Sequence, residues 1–336
     1  MKEKSDSSRR SFLRTCVAGA VGLGATKLAM PAAVQPDNTP KSKVVIARDP
    51  QLYGTGSSLD PVRVQKLLDR AMLSFYDLQD PVAVWKKVVQ PGDVVGLKVN
   101  TIAGPGLSTS VALVDAICER LKQAGIKPND IVVWDRTNRE LTRAGYHLSN
   151  DPNRERVIGT DDKSIGYEDK QSVYGSTTTR FSKLLTRTCT CMINVPILKD
   201  HSGAGVTAAM KNMYGVVDNP NDFHSNNCCP YVADLYMHAV VKEKFRLSIC
   251  DMFTACYEGG PSFQPQHTWK FNGLMIASDP VAHDYTAWQI IERKRAEKGL
   301  KTLTAAGRPP KYIAVAADAQ HHLGTNDPQR IALIEL

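Results

Sequence analysis

The sequence has no run of about 18 uninterrupted apolar residues, the length that a helix needs to span a membrane. A protein with several membrane spans is therefore excluded. It also has no run of basic residues interleaved with aromatic ones, and the net charge of +8 over 336 residues is modest and partly confined to the first 33. We therefore expect no nucleic-acid partner. With 42% hydrophobic and 23% charged residues, the composition is typical of a folded globular protein.

The first 33 residues have the features of an export signal. Residues 8–14 (SRRSFLR) are close to an ideal twin-arginine motif, and the stretch 17–25 that follows is weakly apolar and rich in glycine and alanine. This stretch is too short for a stable membrane span. We predict a twin-arginine signal peptide over 1–33 and a linker over 34–43. A disordered basic tail is the alternative.

Export by this route predicts a periplasmic or otherwise extracytoplasmic protein, with the twin-arginine translocase as its partner during export. The translocase moves folded proteins, often ones that have already received a cofactor. The signal therefore favours a bound metal ion or a covalently held cofactor, without identifying either one.

None of the eight cysteines shows the C-x-x-C spacing of common iron–sulfur or zinc sites. Seven remain after export, and an odd number cannot all pair within one chain. The most metal-like cluster is His224 with Cys228 and Cys229, four and five residues further on in a polar loop. We predict either a metal or redox site there, or a disulfide that involves one of the two cysteines in an oxidising compartment.

Apolar, β-branched runs alternate with helical patterns from residue 44 onward, beginning with strands near 44–47 and 94–99. The alternation predicts an α/β fold with a mostly parallel sheet covered by helices. We assign residues 44–336 to a single domain and leave open its division into two lobes. Other predicted elements are helices near 207–214, 230–243 and 280–297, and a strand near 312–316.

Polar residues follow several of the predicted strands. Asn100, Asp135 and Asp251 each end one, and Lys199 and His201 follow the strand near 190–195. In sheets of this kind, ligands bind beyond the carboxyl ends of the strands. We therefore predict a ligand cleft there, although Asp and Asn also favour strand ends and helix caps for purely structural reasons.

The segment 194–217 carries the richest pattern. It runs from Lys199 and His201 through a glycine-rich turn with Gly203 and Gly205 into a predicted short helix that contains Lys211 and Asn212. Glycines let the backbone approach a ligand closely, and N–H groups at a helix start can hold an anion. The spacing is not that of a P-loop. A structural loop with a surface lysine is the alternative.

The pattern K-x-H followed by T-x-x-x-K-N-M-[YF]-G, over residues 199–215, resembles the domain of unknown function 362 family. Residues 98–100 (KVN), 250–251 (CD) and 278–282 (SDPVA) support the resemblance, which covers roughly 44–320. It implies no particular reaction, because the family has no general assigned one. Some members carry ferredoxin-type cysteine motifs, and this chain lacks them.

Residues 108–145 resemble more distantly the N-terminal part of the nickel-pincer lactate racemase family. In that family a histidine, a glycine-rich loop and a cofactor-bearing lysine follow, and His201 and Lys211 have a matching order. The G-T-H-R pattern is missing after residue 135, and His147 is the nearest histidine. The resemblance implies a shared pocket location and not a shared reaction.

Three functions stay open. The first is an enzyme that acts on a small anionic molecule, with His201 as general acid or base. In this hypothesis Lys211 binds the anion or holds a cofactor covalently, and Asp251 and Asp284 orient these groups or bind a metal. The second is a periplasmic metal-binding or redox protein that uses His224, Cys228 and Cys229. The third is a binding protein without catalysis.

The enzyme hypothesis names two sets of residues. The predicted catalytic residues are His201, Lys211 and Asp251. The predicted ligand-binding residues are Lys98, Asn100, Lys199, Gly203, Gly205, Asn212 and Asp284.

Overall fold

The computed structural model describes residues 41–54 and 58–336. The predicted signal peptide over 1–33 and most of the predicted linker over 34–43 lie outside the described residues. Within the described ranges, no helix combines the length and the apolar character needed to cross a membrane. The predicted domain boundaries and the extracytoplasmic location stay predictions.

The strands alternate with helices along the chain. The strands are β1 (Ser42–Arg48), β2 (Val95–Lys98), β3 (Ile131–Asp135), β4 (Arg156–Gly159), β5 (Ser172–Tyr174), β6 (Thr177–Thr179), β7 (Cys191–Asn194), β8 (Ile197–His201), β9 (Gly205–Thr207), β10 (Phe245–Cys256), β11 (Thr268–Ala277) and β12 (Ile331–Glu335). The helices are α1 (Pro61–Tyr76), α2 (Pro81–Val88), α3 (Val111–Gln123), α4 (Asn138–Arg143), the single turn α5 (Ser225–Cys228), α6 (Tyr231–Met237), α7 (Ala239–Lys242), α8 (Pro280–Glu297) and α9 (Lys311–Ala316).

Three helices, α1, α2 and α8, begin where the sequence places an aspartate before a proline. Asp60, Asp80 and Asp279 cap α1, α2 and α8, and each carboxylate accepts hydrogen bonds from backbone N–H groups of the first turn. Proline fits the first helical position because its missing N–H would have no partner there. These local signals explain why α8 begins where the sequence predicts.

Most strands join one large mixed sheet in the order β12-β1-β11-β10-β7-β2-β3-β4, with β8 paired to β10 and β9. The run β10-β7-β2-β3-β4 is parallel throughout, whereas β11 is antiparallel to both β1 and β10. Helices cover both faces, and the fold is α/β with a mostly parallel sheet. The predicted fold class is confirmed.

The sheet separates two large apolar clusters. On one face, Leu97, Val133 and Ile249 pack with the buried sides of α1, α2 and α3. On the other, Trp134 and Met192 pack with residues 210–217, α6 and α9. Because side chains alternate along a strand, the position of a residue in its strand decides which cluster it faces.

Three predicted elements differ in the structure. Residues 311–316 form α9 and not a strand, since a short apolar run cannot be assigned by periodicity alone. The predicted helix near 207–214 is the end of β9 followed by a 3₁₀ helix, Lys211–Val216. The predicted helix near 230–243 is two helices, α6 and α7, separated at His238.

Candidate functional site

A cavity of about 250 Å³ lies at the carboxyl ends of β2 and β3, next to β8 and β9. Many of the residues singled out from the sequence line it. These are Lys98, Asn100, Asp135, Lys199, His201, Lys211, Asn212 and His224. Strands that are distant in sequence thus bring their polar ends together at one point of the sheet.

Lys98 and Asp135 form a buried ion pair at the base of the cavity, with 2.7 Å between Nζ and Oδ1. The Lys98 Nζ also donates to the Val99 carbonyl oxygen, and Thr101 donates its N–H and its hydroxyl to the other Asp135 oxygen. A Cβ on Gly215 would lie 2.7 Å from the Lys98 Nζ, so a larger residue there would displace the pair. This well-bonded pair has no charge left over for a ligand.

A chain of side-chain amides connects the ion pair to Lys199. The Asn212 Nδ2 donates to Asn194 Oδ1 at 2.7 Å, and the Asn100 Nδ2 donates to Asn212 Oδ1 at 3.0 Å. The Asn100 Oδ1 then accepts a hydrogen bond of 2.9 Å from the Lys199 Nζ. The network fixes the position of Lys199 through a neutral partner and leaves its charge uncompensated.

In a strand, residues two apart point to the same side, and this brings the lysine and the histidine of the K-x-H pattern together. Lys199 and His201 lie on one face of β8 and line the cavity, while the side chain of Asp200 between them accepts hydrogen bonds from the Gly260 N–H and from Arg308. Across the antiparallel pair β8–β9, Lys199 lies opposite Thr207. The Thr207 hydroxyl is buried and has no hydrogen-bond partner, and the residue lines the cavity.

His201 is held as a neutral ring. Its Nδ1 accepts hydrogen bonds from the N–H groups of Gly203 and Ala204, at 2.9 and 3.1 Å, so the proton of the ring lies on Nε2. Burial, with the positive charge of Lys211 added to it, lowers the pKa of His201 to about 2. The N–H groups of the glycine-rich turn therefore hold the histidine and are not free to hold an anion.

Neither predicted ligand-binding glycine lines the cavity. Gly205 has a φ of 78°, and a Cβ there would lie 2.4 Å from the Arg308 carbonyl oxygen. It is required by the close approach of this backbone to the chain before α9. Gly203 contributes the N–H that fixes His201.

Lys211 is buried with only 6% exposure and has aromatic neighbours. Its Nζ lies 3.4 Å from the centroid of the Tyr214 ring and 3.3 Å from His224 Nε2. The His224 ring stacks on that of His201 with 5.5 Å between centroids. Burial, reinforced by the charge of Lys199, lowers the pKa of Lys211 to about 7.

Lys199 is the second buried ammonium group of the cavity. Burial lowers its pKa to about 8, although the carboxylate of Asp135 acts in the opposite direction. Within residues 41–54 and 58–336, no carboxylate lies within ion-pair distance of Lys199 or Lys211. The cavity thus contains two buried lysine amino groups that no carboxylate of the described residues pairs with.

Asp284 does not line the cavity but holds the segment before Lys211. Its two carboxylate oxygens accept hydrogen bonds from the N–H groups of Ala209 and Met210, at 2.7 and 3.1 Å, and from the Tyr312 hydroxyl. The residue positions the backbone that carries Lys211. These contacts are compatible with the predicted role of Asp284 in orienting the site. They do not place Asp284 where it could contact a ligand in the cavity.

Asp251 lies away from the cavity. Its carboxylate accepts hydrogen bonds from the N–H groups of Ser110 and Phe253, at 2.8 and 2.9 Å, and so holds Ser110, the residue that caps the start of α3. In β10 it has the same parity as Ile249 and Phe253, which face the α1–α3 cluster. The predicted grouping of Asp251 with His201 at one cavity therefore does not occur, because backbone N–H groups beside the α1–α3 cluster hold the Asp251 carboxylate.

The described part of the chain contains no group of three or more His, Cys, Asp or Glu side chains arranged to hold a metal ion. His224, Cys228 and Cys229 are therefore not brought together as a ligand set. The seven cysteines after residue 41 are all free and buried, so the predicted disulfide is not formed. Asn226, Asn227 and Cys228 have φ values of 48–60°, which turn this loop sharply.

Sequence reasoning missed several cavity residues. Thr207, Tyr214 and Gly215 all belong to the T-x-x-x-K-N-M-[YF]-G pattern. The pattern could therefore have predicted them, but only its lysine and its asparagine were named as site residues. Arg136 and Glu140 also line the cavity, from the start of the segment that contains α4. Nothing in their local sequence distinguishes them from ordinary surface charges.

The cavity and its supporting strands lie within a recognised family. The sequence model of the family described as "Domain of unknown function (DUF362)" matches residues 95–289, and the chain belongs to that family. The match contains each of the predicted site residues, from Lys98 to Asp284. A search of curated proteins returns no match.

Two solved structures are similar to the chain. One is a structural-genomics protein from Thermotoga maritima, 8% identical, with a TM-score of 0.39 over 62% of this chain and 53% of that one. The other is the lactate racemase apoprotein from Thermoanaerobacterium thermosaccharolyticum, 13% identical, with a TM-score of 0.38 over 73% of this chain and 56% of that one. This chain therefore spans little more than half the length of either structure. TM-scores this low carry no argument about the site or the reaction.

Proposed function

We propose that this protein is an exported enzyme that acts on a small anionic molecule bound in the cavity. The observation that carries the proposal is the pair of buried lysines, Lys199 and Lys211, without a carboxylate partner; Lys199 is the one that stays mostly protonated. Burying an unpaired charge costs several kcal/mol. A bound anion would supply the missing counter-charge and remove this cost.

The proposed roles follow from the contacts. Lys199 and the unpartnered Thr207 hydroxyl face each other across β8–β9 and bind a carboxylate or phosphate oxygen. His201, kept neutral by its two backbone donors, offers its Nε2–H to a second polar atom of the ligand. Its role is thus that of a hydrogen-bond donor and not of a general acid, since a pKa of about 2 leaves no imidazolium at neutral pH.

Thermal unfolding with added anions tests the binding site. A ligand at 100 times its Kd stabilises a protein by about 2.7 kcal/mol, which raises the Tm of a chain of this size by several degrees. We expect at least one small carboxylate, or inorganic phosphate, to give this rise in the wild type. Lys199→Met should abolish it, because the methionine matches the length of the lysine stem but carries no charge.

Lys66→Met is the matched control, since Lys66 is an exposed residue of α1. It should leave the anion-dependent rise unchanged. Proton NMR of each bound anion, with wild-type protein and over hours, then shows whether the anion is chemically altered. An anion that binds but stays unaltered would point to the binding protein without catalysis, and the absence of any anion-dependent rise would overturn the proposal.

A further inference from the structure

We propose that Lys211 reacts as an amine with the carbonyl group of a 2-oxo carboxylate and forms an imine with it. The inference rests on the proposed function, because it identifies the substrate class of the same cavity. The two buried lysines have different surroundings. Those of Lys199 suit a carboxylate, and those of Lys211 suit attack on a carbonyl carbon.

The surroundings of Lys211 favour the free amine. Its Nζ meets an aromatic face and an imidazole nitrogen, at 3.4 and 3.3 Å, and no carboxylate in the described part of the chain. Burial lowers the pKa of Lys211 to about 7, well below the ordinary value of a lysine, and so favours the unprotonated amine that attacks a carbonyl carbon.

The surroundings of Lys199 favour the charged form and a carboxylate partner. Its pKa of about 8 keeps it mostly protonated at neutral pH, and its single hydrogen bond to Asn100 Oδ1 leaves two N–H donors free. The Thr207 hydroxyl opposite it is buried and unpartnered. A carboxylate satisfies both groups at once. The cavity thereby complements a molecule with a carboxylate beside a carbonyl.

The step balances without an oxidant, a reductant or a second substrate. The lone pair of the Lys211 Nζ attacks the carbonyl carbon and forms a C–N bond, while the π electrons of the C=O bond move to the oxygen, which accepts a hydrogen bond from the His201 Nε2–H. One proton of the nitrogen passes through water to this oxygen and forms a hydroxyl group. The C–O bond then breaks with loss of hydroxide, which takes up the second proton of the nitrogen. One water molecule is released, and a C=N bond remains.

Reductive trapping tests the inference on the whole chain. Sodium borohydride converts an imine into a stable secondary amine, so we expect wild-type protein incubated with pyruvate and borohydride to gain one adduct per chain. Peptide mapping should place it on Lys211. Lys211→Arg keeps the positive charge but lacks a nucleophilic amine at this pH, and should lose the adduct; Lys211→Met serves in its place should the arginine variant unfold.

Two further variants separate reactivity from binding. Lys66→Arg replaces an exposed lysine and should keep the full adduct. Lys199→Met should lower the yield at limiting pyruvate by at least about tenfold, since about 1.4 kcal/mol of lost binding has that effect. A yield that Lys199→Met leaves unchanged would contradict the assignment of the carboxylate to Lys199.

Propionate, which has a carboxylate but no carbonyl, distinguishes this inference from the proposed function. If propionate and pyruvate both raise the Tm but borohydride leaves Lys211 unmodified, the imine inference is overturned and the anion site stands. Adducts spread over surface lysines such as Lys66 would overturn it equally. If neither acid raises the Tm and no adduct forms, both proposals fail.

Discussion

Buried lysines differ in what surrounds them, and in this cavity the difference separates structural from functional side chains. Lys98 has Asp135 as a full ionic partner, whereas Lys199 has an amide oxygen and Lys211 has two rings. Breaking a buried ion pair leaves one charge uncompensated, which is strongly destabilising. Removing a charge that has no partner relieves a cost that the fold already bears.

We expect Asp135→Asn to lower the free energy of unfolding by about 3–5 kcal/mol, because Lys98 would then be buried without a counter-charge. The NH₂ group of the new asparagine would also face the Thr101 N–H, so that two donors would lie opposite each other without an acceptor. Urea unfolding measures the loss. Asp77→Asn is the control, since Asp77 pairs with Lys43 at the surface, and should cost less than about 1 kcal/mol. Equal effects of the two substitutions would show that Lys98 finds another partner.

At the scale of elements, helix starts and parallel strands could be predicted because their signals are local. Aspartate before proline gave the starts of α1 and α8, and β-branched runs gave β2 and β3. Where the side chain at a strand end lies depends on pairing with distant segments, which no local pattern reveals. Asp251 was therefore grouped with the wrong residues. The K-x-H pattern succeeded because both residues share one parity within one strand.

Two aspartates of α8 have comparable hydrogen bonds and different tasks. Asp279 caps its own helix, whereas Asp284 caps the segment 209–210 that leads to Lys211. We expect Asp279→Asn and Asp284→Asn each to cost about 1–3 kcal/mol in urea unfolding, since in each variant an NH₂ group replaces one oxygen that accepts a backbone N–H, from Thr325 in the first and from Ala209 or Met210 in the second. Calorimetric titration with the anion that binds best should show weaker affinity for Asp284→Asn alone.

The comparison is informative because both variants lose stability. A role of Asp284 in stability alone would leave the Kd of Asp284→Asn equal to that of Asp279→Asn. If Asp284 positions the backbone of Lys211, the Kd should be higher for Asp284→Asn than for Asp279→Asn. Calorimetry is done well below both Tm values, so that only folded protein is titrated.

At the scale of the whole molecule, one hydrogen-bond network, centred on the buried His321 and Asp234, joins three segments that are far apart in sequence. His321 hydrogen-bonds to Asp318 through Nδ1 and to Asp234 of α6 through Nε2, both at 2.9 Å. The second Asp234 oxygen accepts the N–H and the hydroxyl of Ser176, between β5 and β6. No spacing in the sequence indicates such a link, because its members share neither an element nor a motif.

This network makes stability depend on pH. Burial by itself would lower the pKa of His321, but the hydrogen bonds to Asp234 and Asp318 outweigh it and raise that pKa. A raised pKa means that the folded protein binds the proton more tightly than the unfolded chain. The stabilisation is therefore complete below the unfolded value of about 6.5 and is lost as the pH rises through the folded value.

His321→Asn should consequently cost roughly 1–2 kcal/mol of unfolding free energy near pH 6 and clearly less near pH 9. The quantity to compare is the difference between wild type and variant in urea unfolding at each pH, because other titrating groups cancel in that difference. His322→Asn removes the exposed neighbouring imidazole and should show no such trend. A difference for His321→Asn that stays constant from pH 6 to pH 9 would mean that its ring is held as a neutral hydrogen-bonding group, and that Asp234 and Asp318 act on it as acceptors and not as counter-charges.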